Sequence, residues 1–164
     1  MDLRVTVDIP KTPLFSGAGA APIIHEEMMA ATEYGVAVVE SAIAPLAPVD
    51  RGMFRAGIQT KVYGEPAIVT GTVFNPLTYA LPVEDGSKPH WPPQAPLAAW
   101  AQRKLGLSAD EAKSVGFLIA RKISRVGTRA HRPFARGFAA AKEQVVARYE
   151  QMVASIVSRL GSGR

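Results

Sequence analysis

The chain has 164 residues, of which 48% are hydrophobic and 20% charged, and it contains no cysteine. This length and composition are typical of one folded domain, and the lack of cysteine excludes disulfides, thiolate nucleophiles and cysteine-based metal sites. Residues 1–82 carry five basic and eight acidic side chains, whereas residues 83–164 carry fourteen and six, so the net charge of +5 belongs to the second half. We predict a single domain over residues 1–164 with an acidic and a basic half.

The N-terminal residues have none of the features of a secretory or membrane segment. An acid at position 2 is followed by alternating apolar and polar residues, and no run approaches the roughly 18 apolar residues of a membrane span. We therefore expect a protein that folds in a cytoplasm and does not enter a membrane. The alternation itself predicts a first strand at residues 2–9.

A long helix is predicted at about residues 23–44. Apolar side chains recur there at spacings of three and four, with glutamates between them, which is typical of an amphipathic helix. The segment before it is rich in glycine, alanine and proline and reads as a connector. Pro45 and Pro48 do not allow the helix to continue.

A small antiparallel sheet is predicted at about residues 55–84. The runs "RAGIQTKVYG" and "PAIVTGTVFN" alternate in character, and the short "GEP" between them suits a hairpin. The segment "TYALPVE" is expected to add a further strand.

The rest of the chain is predicted to be helical, at about residues 96–105, 108–126 and 133–160. Ser108 and Glu111 have the spacing of a capping box, and Pro133 suits the first turn of the last helix. Leu118 is expected on the apolar stripe of the middle helix. The fold class is therefore α+β: a small antiparallel sheet packed against the long N-terminal helix and the C-terminal helix, with an inserted helical pair.

The search for catalytic groups begins at Glu84 and Asp85. Neighbouring residues of a strand point to opposite faces, so this pair is expected to be solvated at a turn instead of acting as general acid and base. His90 has no second histidine at a metal-ligand spacing. We predict no enzyme, no metal and no cofactor, and a small hydrolase acting through His90 is the weakest alternative.

Two segments are candidates for contacts with a partner. The proline-rich "KPHWPPQAP" is stiffened towards polyproline II and is expected to expose Trp91 as a contact loop. The second segment is basic and contains no acid, and this pattern fits two interpretations equally: an acidic partner, either nucleic acid or a protein surface, or a helix face that is simply solvated by its Lys and Arg side chains. Its cations are Arg121, Lys122, Arg125, Arg129, Arg132 and Arg136. Nucleic acid is the less favoured partner because stacking aromatics are scarce in this segment.

Four stretches in a fixed order resemble the tail-completion or neck proteins of bacteriophages, minor tail components of long-tailed phages with an HK-type head. They are "APVDRGMFRAGI", "YALPVEDGSKPH", "LAAWAQRKLG" with the helix after it, and "HRPFARGFAAAK". The residues that match the family's motifs are Asp50, Gly52, Tyr79, Val83, Glu84, Gly86, Pro133 and Phe134.

The resemblance implies a structural subunit of the virion that forms a ring, sixfold in the family, at the junction of head and tail. Its partners would be copies of itself and neighbouring head-closure, tail-terminator or tail-tube proteins, with phage DNA in the lumen, and assembly would take place in the host cytoplasm. Tyr79 and Val83 would anchor a strand, and Gly86 would permit a turn. The contact candidates are Glu84, Asp85, His90, Trp91, Arg121, Lys122, Arg125, Arg129 and Arg132. Glu84 is hypothesised to pair with an arginine of the next subunit, and the alternative function is nucleic-acid binding through residues 121–136.

Overall fold

A computed structural model describes residues 3–6, 19–65 and 68–161 of the chain, and its fold is α+β, as predicted. The elements in chain order are β1 (Leu3–Thr6), α1 (Ala20–Ile43), α2 (Met53–Ala56), β2 (Gln59–Glu65), β3 (Ile68–Phe74), α3 (Ala80–Asp85), α4 (Gln94–Leu105), α5 (Ala109–Val126) and α6 (Pro133–Gly161). A short 3-10 turn, Ala44–Leu46, follows α1.

The chain divides into two compact units. Unit 1 contains the sheet with α1 and α6, and unit 2 contains α3, α4 and α5. Unit 1 consists of Met1–Ala47, Phe54–Leu77 and Pro133–Arg164, and unit 2 of Pro48–Met53 and Thr78–Arg132. The prediction of one domain counted the helical pair as an insertion, and the structure separates that pair, with its flanking segments, as unit 2.

The sheet of unit 1 has three strands in the order β1-β3-β2, and both pairings are antiparallel. The central strand β3 pairs Val73 with Leu3 of β1 and Ile68 with Glu65 of β2. The predicted hairpin is confirmed, although it begins at Gln59 because the preceding residues form α2. Residues 2 and 7–9 of the predicted first strand, and the connector up to residue 18, lie outside the described residues.

The two long helices of unit 1 pack against each other, and α1 also covers β2 and β3. The predicted apolar spacings are correct for both helices, although α1 begins three residues earlier than predicted. Proline is tolerated in a first helical turn, so Pro22 does not prevent this early start. The central cluster of buried side chains comprises Ala20, Ile24, Met28, Ala31, Val69, Met152 and Ile156.

Gly137 sets how closely α6 approaches the end of α1. A Cβ atom at this position would lie 2.9 Å from the Cα of Ile43, which is closer than real Cβ contacts. Next to this crossing, the rings of Phe54 and Phe134 meet edge to face with centroids 6.3 Å apart. The predicted structural pair Pro133 and Phe134 is therefore buried, with Phe134 anchoring the start of α6.

Unit 2 is built on the contact between α4 and α5, and the buried residues of these helices are small. They are Ala101, Ala112, Gly116 and Ala120. A Cβ at Gly116 would lie only 2.8 Å from the backbone nitrogen of Ala98, so the two backbones pass very close together. The predicted apolar stripe on α5 is corrected here, because Leu118 is 58% exposed while the small residues make the helix contact.

The start of α5 is as predicted. The Ser108 hydroxyl accepts a hydrogen bond from the Glu111 backbone amide, and the Glu111 carboxylate accepts one from the Ser108 amide at 2.9 Å. These bonds satisfy two donors that the first turn of a helix would otherwise leave unpaired. The hydrogen bonds from the Ser108 hydroxyl and amide also lower the pKa of Glu111.

The segment "TYALPVE", predicted to be a strand, is helical. It forms α3, in which the Val83 amide donates to the Tyr79 carbonyl at 3.1 Å. Pro82 lies in the first turn, where a missing amide hydrogen costs nothing, whereas inside a sheet it would remove a ladder bond. Tyr79 and Val83 therefore do not anchor a strand.

Candidate functional site

Glu84 and Asp85 lie in different environments because they follow each other on a helix. Glu84 is 2% exposed, whereas Asp85 is exposed. The prediction of a solvated carboxylate is wrong for Glu84, and so is the placement of its side chain at the surface for a neighbouring arginine. A buried ionisable side chain is held by its own chain, so substituting Glu84 would test folding and not a ring contact.

The end of α3 is clamped to the segment that precedes α6. The backbone carbonyls of Val83 and Glu84 accept hydrogen bonds from the amides of His131 at 2.9 Å and Arg132 at 3.2 Å. Arg132 has a φ of +54°, an uncommon value for a residue with a side chain, and this hydrogen bond helps to hold it there.

Gly86 and Ser87 continue the clamp. Ser87 and Thr128 exchange two backbone hydrogen bonds at 3.2 and 3.1 Å, and the Thr128 hydroxyl donates to the Ser87 hydroxyl at 2.9 Å. Gly86 has a φ of +76°, and a Cβ atom there would collide with the Thr128 carbonyl oxygen. The turn predicted at Gly86 is present, and it serves to bring two loops of unit 2 together.

The proline-rich loop after this clamp carries His90 and Trp91, and both side chains are exposed. The Nδ1 atom of His90 donates to the Lys88 carbonyl at 2.9 Å. Trp91, 53% exposed, meets the ring of Phe117 edge to face, with centroids 5.8 Å apart. Within the described part of the chain, no three histidine or carboxylate side chains are grouped closely enough to hold a metal ion.

The outer surface of α5 joins these aromatic rings to the basic segment. We call it the α5 face and define it by six exposed residues: Trp91, Phe117, Leu118, Arg121, Lys122 and Arg125. Its apolar part lies towards the middle of α5 and its cations towards the C-terminal end, where positive charge is favoured by the helix dipole. Arg129 and Arg132 are also exposed beyond the end of α5.

The cations of the α5 face make no ion pair with any residue that the structure describes. Unit 2 has ten basic and five acidic residues, whereas unit 1 has nine of each, so unit 2 carries the whole net charge of +5. Arg136, the last cation of the predicted basic segment, belongs to α6 in unit 1. The structure therefore places five of the six predicted cations in one unit.

Sequence reasoning predicted the exposure of Trp91 and of the cations, but it missed Phe117 and assigned Leu118 to the interior. The spacing of Ala112, Gly116 and Ala120 at intervals of four was the signal that could have located the buried side of α5.

Of the other motif residues, Asp50 accepts a hydrogen bond from Arg103 at 2.7 Å, and Gly52 has a φ of +74°.

Unit 1 has an ion network between α1 and α6. The Glu27 carboxylate accepts hydrogen bonds from the Arg159 guanidinium at 2.9 Å and from the Ser155 hydroxyl at 2.8 Å. These bonds, that from Arg159 first, lower the pKa of Glu27, and the same carboxylate together with Glu26 raises the pKa of Arg159. The network joins the two helices near one end of their contact.

A small cavity in unit 1 has a volume of about 10 Å³ and is bordered by Thr32 and Tyr149, whose hydroxyls lie 3.1 Å apart. This volume is close to the minimum for one water molecule.

Among the helices of the described ranges, none combines the length and apolar character needed to cross a membrane.

Comparison with known proteins gives no match to a family model, to a curated protein or to a solved structure.

Proposed function

We propose that this protein is a structural subunit of a tailed-phage virion, which assembles with copies of itself into a ring at the head-tail junction. The order of the four sequence motifs supports this proposal, and so do surfaces of the folded chain that are suited to association. The subunit acts through shape and multiple contacts, and no catalytic step is involved.

The observation that carries the proposal is the exposure of β2. Six of its seven residues are exposed, and Val62, which packs against the core of unit 1, is half-buried. In the three-stranded sheet its outer edge has no strand partner among the described residues. An open edge of this kind is a template for pairing with another chain, and folded proteins usually blunt or cover it.

A ring requires a head-to-tail contact, in which one surface of each copy meets a different surface of the next. The uneven charge of the chain favours such a contact, because the basic unit 2 complements the acidic groups of another copy. Sixfold closure follows from the resemblance to the phage family, and neighbouring head-closure, tail-terminator or tail-tube proteins would cover the remaining surfaces.

The test is the mass of the purified protein by light scattering at low and moderate salt, followed by electron microscopy of any assembly. We expect a closed oligomer of about six copies. The concentration series should extend to about 1 mM, where a contact worth only about 4 kcal/mol is half-formed. A chain that remains monomeric throughout this series contradicts self-assembly.

Nucleic-acid binding is the second candidate, and the unpaired cations beside the exposed Trp91 favour it. Cations that neutralise phosphates release counterions, so the affinity for DNA would fall steeply with salt, by about a thousandfold between low and moderate salt for six contacts. A Trp91→Ala variant should then weaken binding to single strands more than to duplex, because stacking requires unpaired bases. Affinity that does not change with salt would exclude this function.

A further inference from the structure

The α5 face combines exposed aromatic and aliphatic side chains with unpaired cations. Phe117 is 43% exposed and Leu118 is 58% exposed, and Trp91 extends the apolar area beyond the helix. Contiguous exposed apolar surface next to charged groups is characteristic of an interaction site. A partner for this face should combine small or apolar side chains with carboxylates.

The outer side of α1 has this chemistry. Its residues follow one another at spacings of four, three, four and three, which places them on one side of a helix. We call this the α1 stripe, and it consists of Glu26, Ala30, Glu33, Ala37 and Glu40. The glutamates recur every seven residues, and the alanines between them let another helix approach closely.

Two carboxylates of the α1 stripe are free to meet a partner. Glu26 pairs with Arg159 at 3.0 Å, whereas Glu33 and Glu40 form no ion pair with any residue that the structure describes. Glu40 lies in the last turn of α1, which contains no basic residue. A carboxylate there faces the negative end of the helix dipole, so a cation from outside would relieve an unfavourable interaction.

The two surfaces have matching spacings. On α5, Ser114, Leu118, Arg121 and Arg125 follow one another at intervals of four, three and four, as do the residues of the α1 stripe. At a rise of 1.5 Å per residue, the α5 row is about 16 Å long and the α1 stripe about 21 Å, so one can lie along the other. A small residue on one helix can then face a large one on the other.

We infer that the α5 face of one copy binds the α1 stripe of a second copy, with Arg121 and Arg125 pairing with Glu33 and Glu40. This inference rests on the proposed self-assembly and names the two surfaces of the contact. Because the surfaces differ, each copy can use both, and the contact propagates from copy to copy into a ring.

Charge reversal tests the contact. One variant, Glu33→Lys with Glu40→Lys, makes the α1 stripe basic, and another, Arg121→Glu with Arg125→Glu, makes the α5 face acidic. Each alone should weaken self-association about a hundredfold or more, because like charges then face each other at every contact. An equal mixture of the two variants should assemble again as an alternating ring, and so should one chain that carries all four changes.

Matched controls use residues outside the contact. Glu143→Lys with Glu150→Lys reverses two exposed acids of α6 with the same spacing of seven as Glu33 and Glu40. Lys88→Glu with Lys104→Glu removes the same positive charge from unit 2 as the α5 variant. Both controls should assemble like the unchanged protein, and circular dichroism should show that all the variants are folded.

The lack of cysteine allows a second readout that does not depend on charge. Copies with Ala30→Cys, the position that faces Leu118 when Arg121 lies at Glu33, mixed with copies carrying Leu118→Cys should give a mixed dimer with a short bis-maleimide. Copies with Val153→Cys on α6, mixed with Leu118→Cys copies, should not. Each chain of the mixture holds one thiol, so any link between the two kinds of chain is intermolecular.

The outcomes separate the contact from the proposed function. An unchanged protein that never associates overturns both. If both reversed variants assemble normally, the protein is an assembly subunit that uses other surfaces. This result overturns the inference but not the proposed function. A third result also overturns the inference. If the α5 variant loses duplex DNA binding while both reversed variants self-associate as before, the α5 face binds nucleic acid.

Discussion

Unit 1 has a core of fully buried large apolar side chains, although Ile68 and Val153 are about half exposed, whereas the buried side chains at the helix contact of unit 2 are small. The core of unit 1 includes Met28, Val69 and Met152, each with no exposed area. In unit 2 the helix contact is made by alanine and glycine, while Trp91 and Leu118 are more than half exposed. Unit 1 therefore holds most of its apolar stabilisation inside, and unit 2 offers apolar surface to something else.

Charge separates the two units in the same way. In unit 1 the basic and acidic residues are equal in number, and Arg159 on α6 binds Glu26 and Glu27 on α1. Unit 2 carries the net charge of +5, with exposed cations that find no carboxylate among the described residues. A region that exposes apolar area beside unpaired cations is suited to binding, and a region with a large apolar core and an internal ion network is suited to supporting the fold.

The largest effect on stability is expected at the core of unit 1. Met152→Ala removes a side chain with no exposed area and leaves a cavity, so it should lower the free energy of unfolding by about 2–5 kcal/mol. The adjacent Val153→Ala, at a position that is 53% exposed, should change it by less than about 0.5 kcal/mol. Urea denaturation measures both, and equal losses would mean that Met152 is not part of the core.

A smaller loss is expected at the helix contact of unit 2. Gly116→Leu places side-chain atoms against the backbone of Ala98, and overpacking of this kind costs about 1–3 kcal/mol. Hydrogen exchange should show the amides of α5 opening more often while those of α1 stay protected. Ala99→Leu on the exposed side of α4 is the control and should leave exchange unchanged. Unaltered protection of α5 in the Gly116 variant would argue against the close helix contact.

The sequence predicts those parts of the fold that depend on regular spacing. Apolar intervals of three and four located α1 and α6, and Ser108 with Glu111 located the start of α5. The prediction of a strand at residues 79–85 is wrong, and Pro82 was the residue that could have corrected it, because its position suits a first helical turn. The burial of Glu84 and the exposure of Leu118 depend on which surfaces meet in three dimensions, and this information is absent from local patterns. The exposed cations were predictable because arginine and lysine are rarely buried.

Removing the cap of α5 is expected to have a smaller effect on stability. Ser108→Ala leaves the Glu111 amide without its side-chain acceptor, and the loss of such a cap usually lowers the free energy of unfolding by about 1 kcal/mol. Ser124→Ala, in the interior of the same helix, removes a hydroxyl that only donates to the Arg121 carbonyl, and it should cost nothing. The comparison is made by thermal unfolding, and a Ser108 variant as stable as the Ser124 variant would show that the cap contributes nothing.

The ion network of unit 1 should contribute less than the cap of α5, because its arginine is partly exposed to solvent and surface ion pairs are weak. The pKa of Glu27 is lower in the folded chain than its ordinary value of 4.5, so ionised Glu27 stabilises the fold at neutral pH. As the pH falls from 4.5 through the lowered folded pKa, this contribution is lost. Glu27→Gln should therefore be less stable than the unchanged protein at pH 7, and the difference should disappear in acid.

The control for that titration is Glu143→Gln, which removes one exposed carboxylate from α6. A difference between the Glu27 variant and the unchanged protein that stays constant down to pH 2 would show that the hydrogen bonds from Arg159 and Ser155 do not favour the ionised form. Such a result would weaken the contrast between unit 1, which holds an internal ion network, and unit 2, whose cations on the α5 face are unpaired.

The smallest effect on stability is expected at the α5 face. This prediction is the sharpest test of the difference between unit 1 and unit 2. Leu118→Ser removes an apolar side chain that is 58% exposed, so the free energy of unfolding should change by less than about 0.5 kcal/mol. Self-association, measured by sedimentation on the same samples, should weaken nonetheless, because the apolar area is used between copies. A variant that loses stability but associates normally would place Leu118 in the fold of unit 2, and the exposed apolar area would then need no partner. If Leu118→Ser instead weakens self-association without changing the free energy of unfolding, this side chain serves binding and not folding, as the difference between the two units requires.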